Sequence, residues 1–434
     1  MFDMLSFWNR SIELSEIKNH LGKGHFAYIT GRRRVGKTAL LVQSCQLFDG
    51  FYHQAVEGTP QQQLVHLSEE MGLRFPLLRN VVPKTWNEFF HLLSQEKLPP
   101  LLVFDEFPYW VQGDPTLPSI LQKWVDHELP KLKTSVIVSG SSQSMLYGQF
   151  LHPSAPLYGR ISYHRHLLSM SYLWFCKALK YSSRSPLSFE RFSLVGGIPH
   201  YWRMIPKGTL IHQMEELYFK PSALLAEEPI ALLRDEGVTG SLPKALLDLI
   251  GRGVTKPSEL AGRVGTAHGN LSRPLALLME LGLIHRELPF GESSRTTKKV
   301  IYSVQDPALD FYFGSYLPHR APWFHLKPKE KMDILHQHAS HQWEHFCRLA
   351  HPGSARYWEG DVEIDLVAPL KRKGHYLVAE CKWTNLSPSK EQYLLQTLKE
   401  KFEKTRLKHT LKSVEFRVFS QKDLEKVADY QDNR

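Results

Sequence analysis

The octapeptide Gly31-Arg32-Arg33-Arg34-Val35-Gly36-Lys37-Thr38 follows an apolar run, residues 26–30 (FAYIT), and opens residues 38–47, which read as a helix. It meets the spacing G-x-x-x-x-G-K-[ST] in full, in the strand–loop–helix setting that this spacing needs. The glycines let backbone N–H groups wrap a phosphate chain, and the helix N-terminus adds a favourable dipole. Residues 31–38 are therefore expected to bind the phosphates of ATP. Lys37 would reach the β- and γ-phosphates, and the Thr38 hydroxyl would ligate Mg²⁺.

Downstream, residues 101–104 (LLVF) and 135–139 (SVIVS) are two more short apolar runs, with helical stretches between them. This alternation indicates a parallel sheet with helices on its faces. Asp105-Glu106 closes the LLVF run. A carboxylate at the C-terminal end of a buried strand sits beside the phosphate loop in such folds. Asp105 is expected to hold Mg²⁺, mainly through water, and Glu106 to position the attacking water. Ser139-Gly140-Ser141-Ser142, at the end of the next run, is either a γ-phosphate sensor or a plain serine-rich turn. Arg160, in residues 157–160 (LYGR), is either an arginine finger or an ordinary surface arginine.

A chain of 434 residues is too long for one ordinary core and implies two or three domains. Its composition, 42% hydrophobic and 23% charged, is that of a globular protein. No apolar run is long enough to span a bilayer, and residues 1–10 lack the apolar stretch of a signal peptide. Cys45, Cys176, Cys347 and Cys381 are scattered along the sequence, against both a zinc site and a disulfide framework. Reduced thiols in a cytoplasmic protein are expected. The net charge of +10 favours polyanions. DNA is the expected partner where that charge falls on a DNA-binding element.

From about residue 224 the pattern turns helical. Residues 242–250, 257–263 and 267–281 read as three helices, and residues 283–288 and 299–304 as two strands. That is the order of a winged helix-turn-helix. The third helix would enter the groove, with His268, Asn270, Ser272 and Arg273 near its start. Leu271, Leu275, Leu278 and Leu281 would be its buried stripe. Arg295, Lys298 and Lys299 on the wing suit phosphates. Such modules also couple domains, and both readings stand.

In the last part a helix around residues 343–349 precedes strand-like residues 362–367 and 376–380, with a final strand at 414–419. A hairpin turning at 371–374 would bring Asp365 to Glu380 and Lys382. Two such carboxylates repel, so the pair favours a divalent ion. An ammonium beside them would oppose negative charge developing on a phosphate.

These motifs carry two resemblances. Asn9-Arg10 with Glu13-Leu14, GRRRVGKT, FDEFPYW (104–110), SGSSQSM (139–145), PLYGR (156–160) and GGIPHYW (196–202) run in order over about half the chain. They resemble the archaeal-type ATPase family, among the AAA-like, STAND-related P-loop ATPases. His200 stands where that family often has an acidic residue. The set Asp365, Glu380 and Lys382, with Glu344 upstream, resembles the restriction-endonuclease-like PD-(D/E)xK superfamily. The leading Pro-Asp of that motif is absent, and Gly360-Asp361 stands there. The second resemblance implies Asp365, Glu380 and Glu344 as metal ligands and Lys382 as a catalytic cation.

The expected fold is α/β. A P-loop parallel-sheet domain with a helical tail covers 1–223, a helical winged-helix domain 224–325, and a small α/β restriction-endonuclease-like domain 326–434. The expected function is an ATP-binding, Mg²⁺-dependent ATPase coupled through the winged helix to a nuclease-like, DNA-acting domain. The alternatives are a non-cleaving, ATP-switched DNA-binding or regulatory protein, and a DNA motor or loader. Hydrolysis that waits for a neighbour's arginine would fit a homo-oligomer. No membrane partner is expected.

Overall fold

The computed structural model describes residues 7–140, 148, 152–153, 155–238, 240–293, 295, 297, 299–304 and 306–432. The chain divides into two compact units, Met1–Ser169 and Met170–Arg434. The first is built on five strands: β1 (Phe26–Gly31), β2 (Phe51–Gln54), β3 (Leu101–Asp105), β4 (Ser135–Ser139) and β5 (Tyr163–Leu167). They pair in the order β2-β3-β4-β1-β5, and every pairing is parallel. The inner strands β1, β3 and β4 are buried along their whole length, which is why they read as unbroken apolar runs. Since all five strands run the same way, the loop leaving β1 and the acidic pair ending β3 open on one edge of the sheet.

Helices Trp86–Ser94, Pro108–Gly113 and Leu117–His127 supply an aromatic layer to this unit. Trp86 packs on Trp110, Phe90 on Trp124, and Trp110 on Phe104 of β3. Helix Trp86–Ser94 starts where the Thr85 side chain accepts the Glu88 N–H at 3.2 Å, a cap that satisfies one free donor of the first turn.

The second unit carries two separate sheets. Helices Ser241–Gly251 and Pro257–Val264 are followed by a 3₁₀ turn, His268–Leu271, and helix Ser272–Glu280. Strands β6 (Ile284–Glu287) and β7 (Ile301–Val304) then pair antiparallel. The stretch 267–281 is therefore not a single helix. Pro274 has no N–H to return to the carbonyl of Asn270, so it sits where α-helical bonding begins and the missing donor costs least. Leu271, Leu275, Leu278 and Leu281 are buried as a stripe, while His268, Asn270, Ser272 and Arg273 are exposed.

Further on lies a four-stranded sheet of β8 (Ala355–Glu359), β9 (Val362–Pro369), β10 (His375–Cys381) and β11 (Ser413–Phe419), in the order β11-β10-β9-β8. β8, β9 and β10 alternate in direction, and β11 runs parallel to β10. The helix expected around Trp343 begins much earlier and spans Pro328–Ala350. Trp343 is wholly buried in it. Among the described residues no helix is long and apolar enough to cross a membrane. All four cysteines are free and buried.

That long helix is tied to Asp310, a buried carboxylate. Asp310 accepts Gln342 Nε2 at 2.7 Å and lies 3.2 Å from His341 Nδ1 and 3.4 Å from His338 Nδ1. Burial opposes its charge, but the histidines more than offset that and hold its carboxyl well below the usual range. Asp310 in turn raises His341 against its own desolvation. The depressed carboxyl contributes stability above its unfolded pKa of about 3.9, lost as pH falls. The raised histidine contributes stability below its unfolded pKa of about 6.5, lost as pH rises through the folded value. The pair is therefore most stabilising between about pH 4 and 6.5. His341 is half exposed, so solvent screening keeps the effect below about 1 kcal/mol. Urea midpoints of wild type should fall from pH 6 to pH 8 by more than those of Asp310→Asn; equal slopes would discard the coupling.

Candidate functional site

The phosphate loop leaves β1 at Gly31, whose φ is +152°. A Cβ there would stand 2.7 Å from the Leu167 carbonyl oxygen on β5, so the neighbouring strand demands glycine as much as the backbone does. Gly31→Ala is expected to cost about 2 kcal/mol through this clash and the φ it requires. An unchanged urea midpoint would refute it. Arg34 and Gly36 also take positive φ, 67° and 102°, and the chain then enters helix Lys37–Leu47.

Lys37 is buried, with its Nζ 2.7 Å from the Gly31 carbonyl and 3.2 Å from that of Arg32. The ammonium is thus curled onto the loop that carries it. Thr38 Oγ1 donates to Asp105 Oδ2 at 2.7 Å. Asp105 has no exposed surface and is the hub of the site. Tyr52 OH donates to Oδ2 at 3.0 Å, the Glu106 N–H to Oδ1 at 3.0 Å, and the Ser139 hydroxyl to Oδ1. Four donors thus satisfy one buried charge, as a low-dielectric site requires. Burial first, and then Asp105, push the Tyr52 phenol up, so it stays a neutral donor.

Glu106 follows with φ +53°, a left-handed conformation uncommon for a side chain of this kind. Arg10 braces the loop from outside. Its Nη2 donates to the Val35 carbonyl at 3.0 Å and the Leu168 carbonyl at 2.9 Å, and its Nη1 to Glu13 at 3.1 Å. The Asn9-Arg10…Glu13 motif thereby has a structural task. Behind Lys37, the Thr30 hydroxyl lies 3.1 Å from His166 Nδ1. Burial, and secondarily the Lys37 charge, lower the His166 pKa.

Arg160 is paired with Asp126. Its Nε meets both oxygens of Asp126 at 2.8 and 2.9 Å, and its Nη1 the carbonyls of Pro156 and Tyr158 at 3.1 Å. Ser141, Ser142 and Lys298 lie outside the described residues.

In the second unit, Ala379 of β10 opposes Leu366 of β9, one step before Glu380 and Asp365. Lys382 Nζ lies 2.8 Å from Glu380 Oε1 and 3.4 Å from Asp365 Oδ2. The turn at 371–374 thus brings these three groups together. Asp365 Oδ2 also accepts the Cys381 N–H at 2.8 Å. Lys401, on helix Pro388–Glu403, reaches both Glu380 oxygens at 3.2 Å. Glu344 is paired with Arg356 at 3.0 Å. Burial, then the Asp365 charge, raises the Glu344 pKa, so Glu344 feels the cluster without bonding to it in these contacts. Burial pulls Lys382 down, but Asp365 and Glu380 more than offset it and hold the ammonium charged. Among the described residues no group of three or more His, Cys, Asp or Glu side chains is arranged to hold a metal.

Tyr52, Arg10 and Lys401 are contacts that sequence reasoning did not place at these sites. Tyr52 sits on an edge strand without an apolar run, and Lys401 on a basic helix among many similar residues.

Residues 7–205 match the model of an ATPase domain found predominantly in Archaea. Residues 344–394 match that of archaeal and bacterial proteins of unknown function. An uncharacterized protein of Methanocaldococcus jannaschii is 27% identical over 406 residues, 88% of each chain. The Walker-type ATPase PABY2304 of Pyrococcus abyssi is similar in fold, with a TM-score of 0.54 at 16% identity over 71% of this chain and 96% of that one. The five-stranded parallel sheet, the glycine-bounded loop and these matches agree: the first unit has the fold of a P-loop ATPase, residues 7–205 are similar to ATPase domains found predominantly in Archaea, and residues 344–394 are similar to a family of unknown function.

Proposed function

We propose that the chain binds and hydrolyses ATP with Mg²⁺ at residues 31–38, Asp105 and Glu106. The observation that carries this reading is the Thr38 hydroxyl 2.7 Å from the buried Asp105 carboxylate, at the end of the phosphate loop. A hydroxyl and a carboxylate are the hard oxygen ligands that Mg²⁺ prefers, so the residues fit the ion. Thr38 and Asp105 would hold it, and bound Mg²⁺ supplies charge neutralisation to the phosphates. The loop amides bind the phosphates. Lys37 exchanges its two carbonyl partners for phosphate oxygens. Glu106 accepts a hydrogen bond from the attacking water and orients it. Phosphate release by the purified chain, with Mg²⁺ and with EDTA, tests the reading; equal release in both would overturn it.

We infer further that the second unit acts on DNA. In support stand the exposed His268 and Asn270 ahead of helix Ser272–Glu280, Arg273 in its first turn, and Arg295 and Lys299 ahead of β7. That order, three helical segments and a two-stranded sheet, is what a winged helix uses on a duplex. ATP binding in the first unit would set the affinity of the second.

The finer reading is a nuclease-like centre of Asp365, Glu380 and Lys382, with Glu344 nearby. As placed, these acids do not fit a loaded metal centre. Lys382 and Lys401 stand on Glu380, and Arg356 on Glu344. A non-cleaving, ATP-switched DNA-binding protein is the second reading, and these ion pairs favour it. Plasmid nicking separates the two. On the nuclease reading, Mg²⁺ or Mn²⁺ supports nicking that EDTA and Asp365→Ala abolish while ATP hydrolysis persists. Intact plasmid across both metals, with and without ATP, leaves the non-cleaving reading.

A further inference from the structure

Within the second unit, a cleft of about 300 Å³ joins parts of the chain that are far apart in sequence. Lys256, Pro257 and Ser258 line it from the start of helix Pro257–Val264, His268 from the 3₁₀ turn, Lys299 from the approach to β7, and Trp358 from β8. Among the described residues no Asp or Glu lines it. Lys256, His268 and Lys299 are exposed, and Trp358 is half-buried. Lys256 approaches Glu259 only at 3.9 Å, a weak surface pair. The acid next to Trp358, Glu359, is already engaged by Tyr357 OH at 2.7 Å and the Arg406 N–H at 2.9 Å. Among the described residues the cleft is thus a cationic pocket with one indole and no competing carboxylate in its lining.

That combination selects a ligand class. Ammonium groups recruit phosphate, and an aromatic face stacks on a base, which together are the means by which proteins hold single-stranded nucleic acid. A base inside a duplex is stacked on both faces and cannot offer one to an indole unless it leaves the helix. A concavity of this size has room for little more than one nucleotide and cannot embrace a duplex. We propose that this cleft takes one unpaired nucleotide of a DNA strand, its base against Trp358 and its flanking phosphates on Lys256 and Lys299. The inference rests on the reading that the second unit acts on DNA, and it narrows that reading to DNA with a single-stranded tail or junction. His268 lies both at the start of the groove-reading segment and in the cleft, so duplex and unpaired strand would meet there.

Fluorescence anisotropy with the full chain tests this, using a blunt duplex and the same duplex with a short single-stranded tail at either end. The tailed DNA should bind about tenfold more tightly, the value of stacking one base. Trp358→Phe should keep the preference, and Trp358→Leu should remove it while blunt-duplex affinity is unchanged. If Trp358→Leu does not fold, Lys256→Ala at an exposed position decides, and it should lower affinity for tailed DNA alone. Equal affinity for tailed and blunt DNA, or a preference that survives both variants, overturns the proposal and leaves the DNA reading standing. Absence of binding to either DNA, with and without ATP, overturns the DNA reading itself.

Discussion

Lys37→Ala is expected to weaken ATP binding by about a hundredfold, close to 3 kcal/mol. The side chain is buried and its ammonium donates to the Gly31 carbonyl at 2.7 Å and the Arg32 carbonyl at 3.2 Å. Neutral carbonyls are modest partners for a buried cation. A phosphate oxygen offers a charge-assisted bond roughly twice as strong, so nucleotide entry is coupled to a gain that alanine cannot make. The variant should still fold. Its loss removes a charge from a loop whose shape is set by Gly31 against Leu167 and by Arg10 on the Val35 carbonyl. Calorimetry of wild type and variant, at equal Mg²⁺, gives the comparison. Equal affinities would mean that residues 31–38 are not the nucleotide site.

What could be read from the sequence follows from burial. β1, β3 and β4 are covered on both faces and announce themselves as FAYIT, LLVF and SVIVS. β2 (FYHQ) and β5 (YHRHL) lie at the sheet edges, with exposed positions among buried ones, and no apolar run marks them. Yet these edges complete the site. β2 brings Tyr52 to Asp105, and β5 brings Leu167 against Gly31. The interrupted segment 267–281 has another cause. Its leucine stripe keeps helical spacing across the 3₁₀ turn, so periodicity alone runs straight through the break, and only Pro274 signals it.

The carboxylate cluster teaches a different point. Strand alternation and the 371–374 turn sufficed to place Asp365, Glu380 and Lys382 together, because register in a hairpin follows from the turn. Spacing carries no information about which cations arrive from other elements. Lys401 comes from a helix about twenty residues later and Arg356 from the preceding strand. They decide whether the acids stand free for a metal or are already neutralised, and local sequence pattern does not encode that.

Glu106→Gln should leave ATP affinity nearly unchanged while lowering turnover by about 10²–10⁴-fold, the usual contribution of a positioned base. The expectation rests on how tightly the backbone holds this residue. Glu106 takes φ +53°, a conformation that costs on the order of 1–3 kcal/mol unless the surroundings enforce it. Here they do: its N–H is pinned to Asp105 Oδ1 at 3.0 Å, the Phe107 N–H bonds the Ser139 carbonyl at 2.8 Å, and Asp105 itself is fixed by three hydroxyls. Glutamine keeps the size and the same backbone requirements, so the substitution changes charge and little else. A carboxylate can accept a proton from water, and an amide cannot. The two readouts therefore part: calorimetric affinity should stay within about threefold, and steady-state phosphate release should collapse. If both fall together, the change has damaged the Asp105 hub. If release is unchanged, the attacking water is oriented by another group, and Glu106 owes its strained backbone to the turn that follows β3.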